Sequence, residues 1–170
     1  MIGPAYVQRM ARYNRWQNEN LYGVADRLSA DERQHERAAF FGSIHKTLSH
    51  LLWADRIWMS RFAPDVERPQ AGIPQSVDLY PDWQGLKTER AAFDRKIIDW
   101  ADGVDAAWLA GDQTYYSGGA KRDLTRPRWM LITHMFNHQT HHRGQVHAML
   151  TAAGQETGDT DLFLLVPEPR

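Results

Sequence analysis

Apolar residues recur at three- and four-residue spacings in four blocks of the chain, and this period predicts four helices. Over residues 5–28, Tyr6, Met10, Tyr13, Leu21, Val24 and Leu28 share one face, and "SADE" at 29–32 breaks the block. The second block, 41–62, places Ile44, Leu48, Leu51, Leu52, Met59 and Phe62 on one arc. It ends at "APDVERPQAGIP" (63–74), whose prolines and glycine predict a loop. Asp82 caps a third helix, 82–102, with Leu86, Phe93, Ile97 and Trp100 as its apolar positions and Gly103 as its stop. A fourth begins near Pro127, a residue tolerated in a first turn, and runs to Gly154. Between the last two lies "DQTYYSGGAKRDLTRP" (112–127), two β-prone pieces around Gly118-Gly119. These predict a small hairpin or an irregular loop. The pattern as a whole predicts an all-α fold, a four-helix bundle with that small insertion.

Composition narrows the class. A chain of 170 residues suits a single domain, 1–170, that can bury most of its apolar surface. Twenty basic against twenty-one acidic residues give a net charge of −1, so no overall field favours nucleic acid or an anionic membrane. The absence of cysteine removes disulfides, thiolate zinc sites and cysteine nucleophiles, and agrees with a reducing compartment. The start "MIGPAYVQRMARYNRW" lacks the layout of a signal peptide. The longest run without Asp, Glu, Lys or Arg, residues 129–142, is 14 residues, short of the about 20 that a membrane span needs. The expectation is a soluble cytoplasmic protein with neither a membrane nor a nucleic-acid partner.

The fourth block holds the candidate chemistry. "THMFNHQTHHRGQVHAML" (133–150) contains five of the eight histidines. At about 100° per residue, with His134 at 0°, His138 falls near 40° and His142 near 80°, beside Leu131 and Met149 at about 60°. That pair faces the interior one turn apart, and i, i+4 imidazoles can meet one ion. His134 and His141 lie on the flank as second candidates, and His147 lies on the solvent side. An HxxxH pair alone is weak, and a third ligand is required. In the second block His45 and His50 both qualify, and periodicity does not choose between them.

"GSIHKTLSHLLWADRIW" (42–58), followed by "THMFNHQTHHRGQVHAMLTAAG" (133–154), resembles the DinB family, four-helix proteins regarded as metalloenzymes. "ARYNRWQNENLY" (11–22) matches the family's first helix. The resemblance implies a metal held by His50, His138 and His142, and a homodimer as the assembly. It also brings in bacillithiol- and mycothiol-dependent transferases as relatives.

Three neutral ligands leave the ion its full charge and an open position, as catalytic rather than structural zinc sites do. Such a site can acidify bound water or a substrate thiol. The expected metal is zinc or nickel, with iron or manganese as further options. The expected activity is a thiol-dependent S-transfer or a hydrolysis on a small molecule, possession of any activity being open. The alternative is a non-catalytic metal-binding or stress-response interaction protein. No glutamate follows the first ligand of "HQTHH", so the HExxH protease mechanism lacks its base. Asp55, Asn137, His141 and Gln145 are candidates for orienting the ligands. For Asp55, pairing with an arginine is favoured over catalysis. Arg143 is expected to bridge to an acidic residue, Gly144 to allow a close helix contact, and Tyr115 and Tyr116 to border the cleft. The seven tryptophans read mostly as core.

Overall fold

The computed structural model describes residues 2–165. Four long helices, two short ones and a two-stranded sheet follow one another along the chain. The first, α1 (Pro4–Ala25), begins with proline in its first turn, where the missing N–H costs nothing. It stops three residues before the predicted end. "SADE" does more than break it: Ser29 accepts from the Glu32 N–H at 3.1 Å and caps a short helix, α2 (Ala30–Gln34), that periodicity did not reveal.

The chain then makes a tight turn with Ala39 and Gly42 bridged, Gly42 standing at φ +81°. Only glycine adopts that conformation cheaply. The turn delays the next helix, α3 (Ile44–Phe62), by three residues against the prediction, with Ser43 as its cap. Helix α4 (Trp83–Asp102) has the predicted Asp82 cap and ends at Gly103. A second short helix, α5 (Ala106–Ala110), was hidden by its length. The insertion is a hairpin: β1 (Asp112–Ser117) pairs antiparallel with β2 (Arg122–Pro127), Ser117 opposite Arg122. It makes the fold mostly rather than wholly helical, and it leads directly into α6 (Arg128–Ala152).

Helix α1 packs against α4 and α6, and α3 packs against α6 and α4. Val7, Leu48, Leu52, Leu86, Ile97, Ile132, Met135 and Phe136 meet in one core, each contributing roughly 1.5–3 kcal/mol by leaving water. On α1 the expected Met10, Leu21 and Val24 are buried together with Val7 and Ala11, whereas Tyr6 and Tyr13 are only partly so, as is Leu28 beyond the helix. The tyrosines lie at the border of the core, where a ring can be half covered. No helix among the described residues is long and apolar enough to cross a membrane.

A polar layer ties the long helices together inside this core. Arg90 of α4 donates to Asp55 of α3 and to Asp94, both at 2.7 Å, with all three residues no more than 2% exposed. Asn14 and Asn18 of α1 donate to Asp94 at 3.0 Å, and Gln139 of α6 donates to Asp55 at 3.0 Å. Arg143 of α6 donates to the Asn14 side chain and, at 3.3 Å, to Thr140. The expected ion pair of Arg143 is therefore replaced by an amide contact. Its charge is balanced at longer range by Asp55 and Asp94, and burial lowers it to about 10. Two arginines and two aspartates make the layer neutral, the condition under which buried charge is tolerable.

Candidate metal centre

His50 stands in the second turn of α3, and His138 and His142 stand one turn apart on α6. The packing of α3 on α6 brings the three rings together. One ring nitrogen from each lies within 4.8 Å of the others. The Nε2 atoms of His138 and His142 are 3.1 Å apart, close to the about 3.3 Å edge of a tetrahedron with nitrogens at 2.0–2.1 Å from an ion.

The hydrogen bonds assign the protons. The Ser76 hydroxyl donates to the Ile73 carbonyl at 2.6 Å, so its oxygen accepts from Nδ1–H of His50 at 2.7 Å. Nδ1 of His142 lies 2.7 Å from Oε1 of Gln145 and donates to it. In both rings Nε2 is then a free lone pair. Nε2 of His138 faces the same region, and its Nδ1 is buried without a partner. Several inward-facing nitrogens thus share one proton, and burial of unsatisfied lone pairs is costly. A cation among them would satisfy all three, so the donor set fits a divalent ion that takes imidazole.

Electrostatics keep the rings in the ligating form. Burial, with a smaller contribution from the His142 ring, lowers His50 to about 3. Burial followed by the neighbouring histidines lowers His138 to about 3. Burial also lowers His142, against the opposing bond to Gln145. No Asp or Glu joins the cluster among the described residues.

The remaining candidates separate cleanly. His45 is a buried core histidine whose Nε2 lies 2.7 Å from the Tyr80 carbonyl, which explains why it is not part of the cluster. His134 is exposed, with its ring 4.8 Å from Trp58. His141 is exposed with its ring 4.9 Å from His142, and Asn137 is exposed. His147 is half-buried against Thr157 at 2.9 Å rather than free in solvent. Asp55 lies in the polar layer, bonded to Arg90 and Gln139. Gly144 is exposed, and among the described residues a Cβ there would meet nothing within 4 Å, so the expected close helix contact is not made within the chain.

Sequence reasoning missed two supports. Ser76, fully buried in a 3₁₀ turn, orients His50 from a loop with no periodicity to mark it. Phe41, held by the Gly42 turn, lays its ring 3.9 Å from His50 and 5.4 Å from His142.

A cleft of about 960 Å³ runs from His50 and His138 between α3, the 68–74 loop, the hairpin and α6. Trp53, Ile57, Trp58 and Tyr115 form its apolar walls. Tyr116, the next strand residue, is 51% exposed on the opposite face, because successive strand side chains alternate. The hairpin therefore contributes one of the two expected tyrosines.

Known proteins agree with this architecture. A crystal structure of a DinB-like protein from Bacillus cereus ATCC 10987 matches with a TM-score of 0.65 at 14% identity, covering 85% of this chain and 90% of that one, and shows a shared fold. "Protein DinB" of Bacillus subtilis (strain 168) is 24% identical over 163 residues, 94% of this chain and 92% of that protein. The DinB family model matches residues 1–168. With a three-histidine cluster that could hold a metal ion, four long helices and a match over nearly its whole length, this chain belongs to the DinB family.

Proposed function

We propose that the protein binds one divalent ion through His50, His138 and His142 and uses it in a reaction on a small molecule, a thiol-dependent S-transfer or a hydrolysis. One observation carries this reading: three neutral imidazoles converge with no carboxylate among them, and two of them, His50 and His138, line a large cleft. Zinc or nickel is the proposed metal, with iron or manganese next. When bound, the ion supplies Lewis acidity that lowers the pKa of a coordinated thiol or water.

The chain's own residues set up the rest. Ser76 and Gln145 hold two rings with Nε2 inward. Phe41 and Trp53 exclude water beside them, which strengthens every charge interaction within. Asp55 is occupied by Arg90 and Gln139 and does not serve as a base. His134 lines the cleft with its ring against Trp58; that partial covering, followed by the Arg61 charge, lowers it and favours the neutral ring. The polar layer already fastens the long helices, which favours a functional over a structural ion. The bundle reading, a homodimer and a cytoplasmic location complete the proposal. The pairwise packing of the long helices, the family likeness and the cysteine-free composition support them in turn.

The test is elemental analysis of protein made without added metal, followed by chelation and a screen with several cellular thiols. One equivalent of metal, lost in His50→Ala, is expected, and chelation abolishes turnover while the helical circular dichroism persists. Full metal content in His50→Ala would overturn the ligand set, and unfolding on chelation would make the ion structural.

A further inference from the structure

The cleft is lined by three arginines, Arg61, Arg68 and Arg126, and by no aspartate or glutamate among the described residues. The chain as a whole is balanced at −1, so this one-sided lining is local. Elsewhere the covered arginines hydrogen-bond to an amide, a carbonyl or a carboxylate, as Arg143 does to Asn14 and Arg128 to the Trp108 carbonyl. Arg90 meets Asp55 and Asp94, Arg56 meets Glu89, and Arg37 meets Glu32. Arg61 is different. It is half-buried, and its guanidinium has neither a hydrogen bond nor a carboxylate among the described residues. It lies 4.1 Å over the Trp58 ring and 4.3 Å over the Tyr115 ring. Stacking engages the face of the guanidinium and leaves its N–H edge free for a planar, bidentate acceptor. The hairpin supplies Tyr115 and Arg126, so an insertion with little core of its own builds one wall of this arrangement.

Position adds a length. Arg61 follows His50 by eleven residues, three turns of α3, which returns it to nearly the same face about 16 Å along the axis. Its side chain leans back toward the helix N-terminus and so toward His50.

We propose that the cleft binds an extended small molecule whose anionic group, a carboxylate, phosphate or sulfonate, is held by Arg61 with Arg68 and Arg126 while its reactive end reaches the three histidines. This deepens the metal-site reading and rests on it for the reactive end only. Burial lowers Arg61 to about 10, with Tyr115 opposing and the nearby Arg68 charge acting in the same sense as burial. The guanidinium is thus desolvated yet still charged at neutral pH, and an anion relieves both costs.

The test uses full-length metal-free protein and two fluorescent probes of similar shape, 8-anilinonaphthalene-1-sulfonate and uncharged N-phenyl-1-naphthylamine. The sulfonate is expected to bind more tightly, in a salt-dependent manner. Arg61→Gln weakens the sulfonate by about tenfold or more and leaves the neutral probe unchanged. Arg61→Lys restores part of the loss. His50→Ala, which removes one proposed metal ligand, keeps the preference for the sulfonate, so failure of the ligand set and failure of the anion site are read separately. Equal affinity for the two probes, or an unchanged sulfonate affinity in Arg61→Gln, overturns the proposal. If circular dichroism shows Arg61→Gln unfolded, the double variant Arg68→Gln/Arg126→Gln takes its place under the same two criteria.

Discussion

Two polar regions share the same helices and are built on opposite rules. In the layer between α1, α3, α4 and α6, each charge has an answering charge or amide within the protein. Asp55 and Asp94 flank Arg90, and Arg143 reaches Asn14. Beside it, the imidazole lone pairs of three histidines face one another, and in the cleft that His50 and His138 line, Arg61 has no answering acid among the described residues. Helix α6 carries both kinds on neighbouring stripes, His138 and His142 on one, Gln139 and Arg143 on the next. The first region fixes which face of α6 turns inward. The second uses that fixed orientation for imidazoles and a guanidinium with no acid to answer them among the described residues. On the proposed reading, matched polar groups hold the fold and unmatched ones are left for a ligand.

The sharpest way to break this contrast is to treat two arginines alike. Arg90→Gln strands two buried carboxylates and is expected to cost about 3–5 kcal/mol in urea unfolding. Arg61→Gln loses only stacking at a half-exposed site, about 0.5–1 kcal/mol. Equal costs would abolish the distinction between a fold-holding and a ligand-holding arginine.

A smaller effect is expected from the supports of the histidines. Ser76→Ala and Gln145→Ala each lower metal affinity about 10- to 100-fold with little change in the helical spectrum. Competition with a chelator of known affinity measures it. Unchanged affinity would mean that the rings are held by packing alone.

The pH dependence sharpens the same point. His50 and His138 lie near 3 in the folded protein, and near 6.5 in the unfolded chain. Between these values the unfolded state binds more protons, so these rings' contribution to stability is full above about 6.5 and is lost as pH falls toward about 3. Metal-free protein should therefore lose stability on acidification relative to a His50→Gln/His138→Gln variant, compared by urea titrations along a pH series. Parallel curves would show that the rings are not desolvated.

The smallest effect belongs to Gly144. Its open surroundings make Gly144→Ala stabilising by about 0.5–1 kcal/mol through helix propensity. Destabilisation would reveal a neighbour on that face, such as a partner copy.

Much of this was legible because it is local. The Asp82 cap, the Gly103 stop and the apolar spacing define α4 almost to the residue, since capping and amphipathicity act within a turn or two. The HxxxH pair was legible for the same reason. His50 over His45 was not: both sit on a helix with two covered faces. The family resemblance chose His50, and the structure gives a reason in the Tyr80 carbonyl that engages His45. Helix α2, helix α5 and the Gly42 turn were missed because five residues or fewer carry no period.

What the sequence determined by itself is the number of long helices, the charge balance, the lack of thiols and the histidine pair on one face of α6, each a property of neighbours along the chain. Only the tertiary structure decided the partners. Asn14 meets Arg143 across 129 residues, Asp55 meets Gln139 across 84, and Ser76 turns His50 from a loop. Such pairings depend on which helix faces pack together, and that is set by burying the whole core at once.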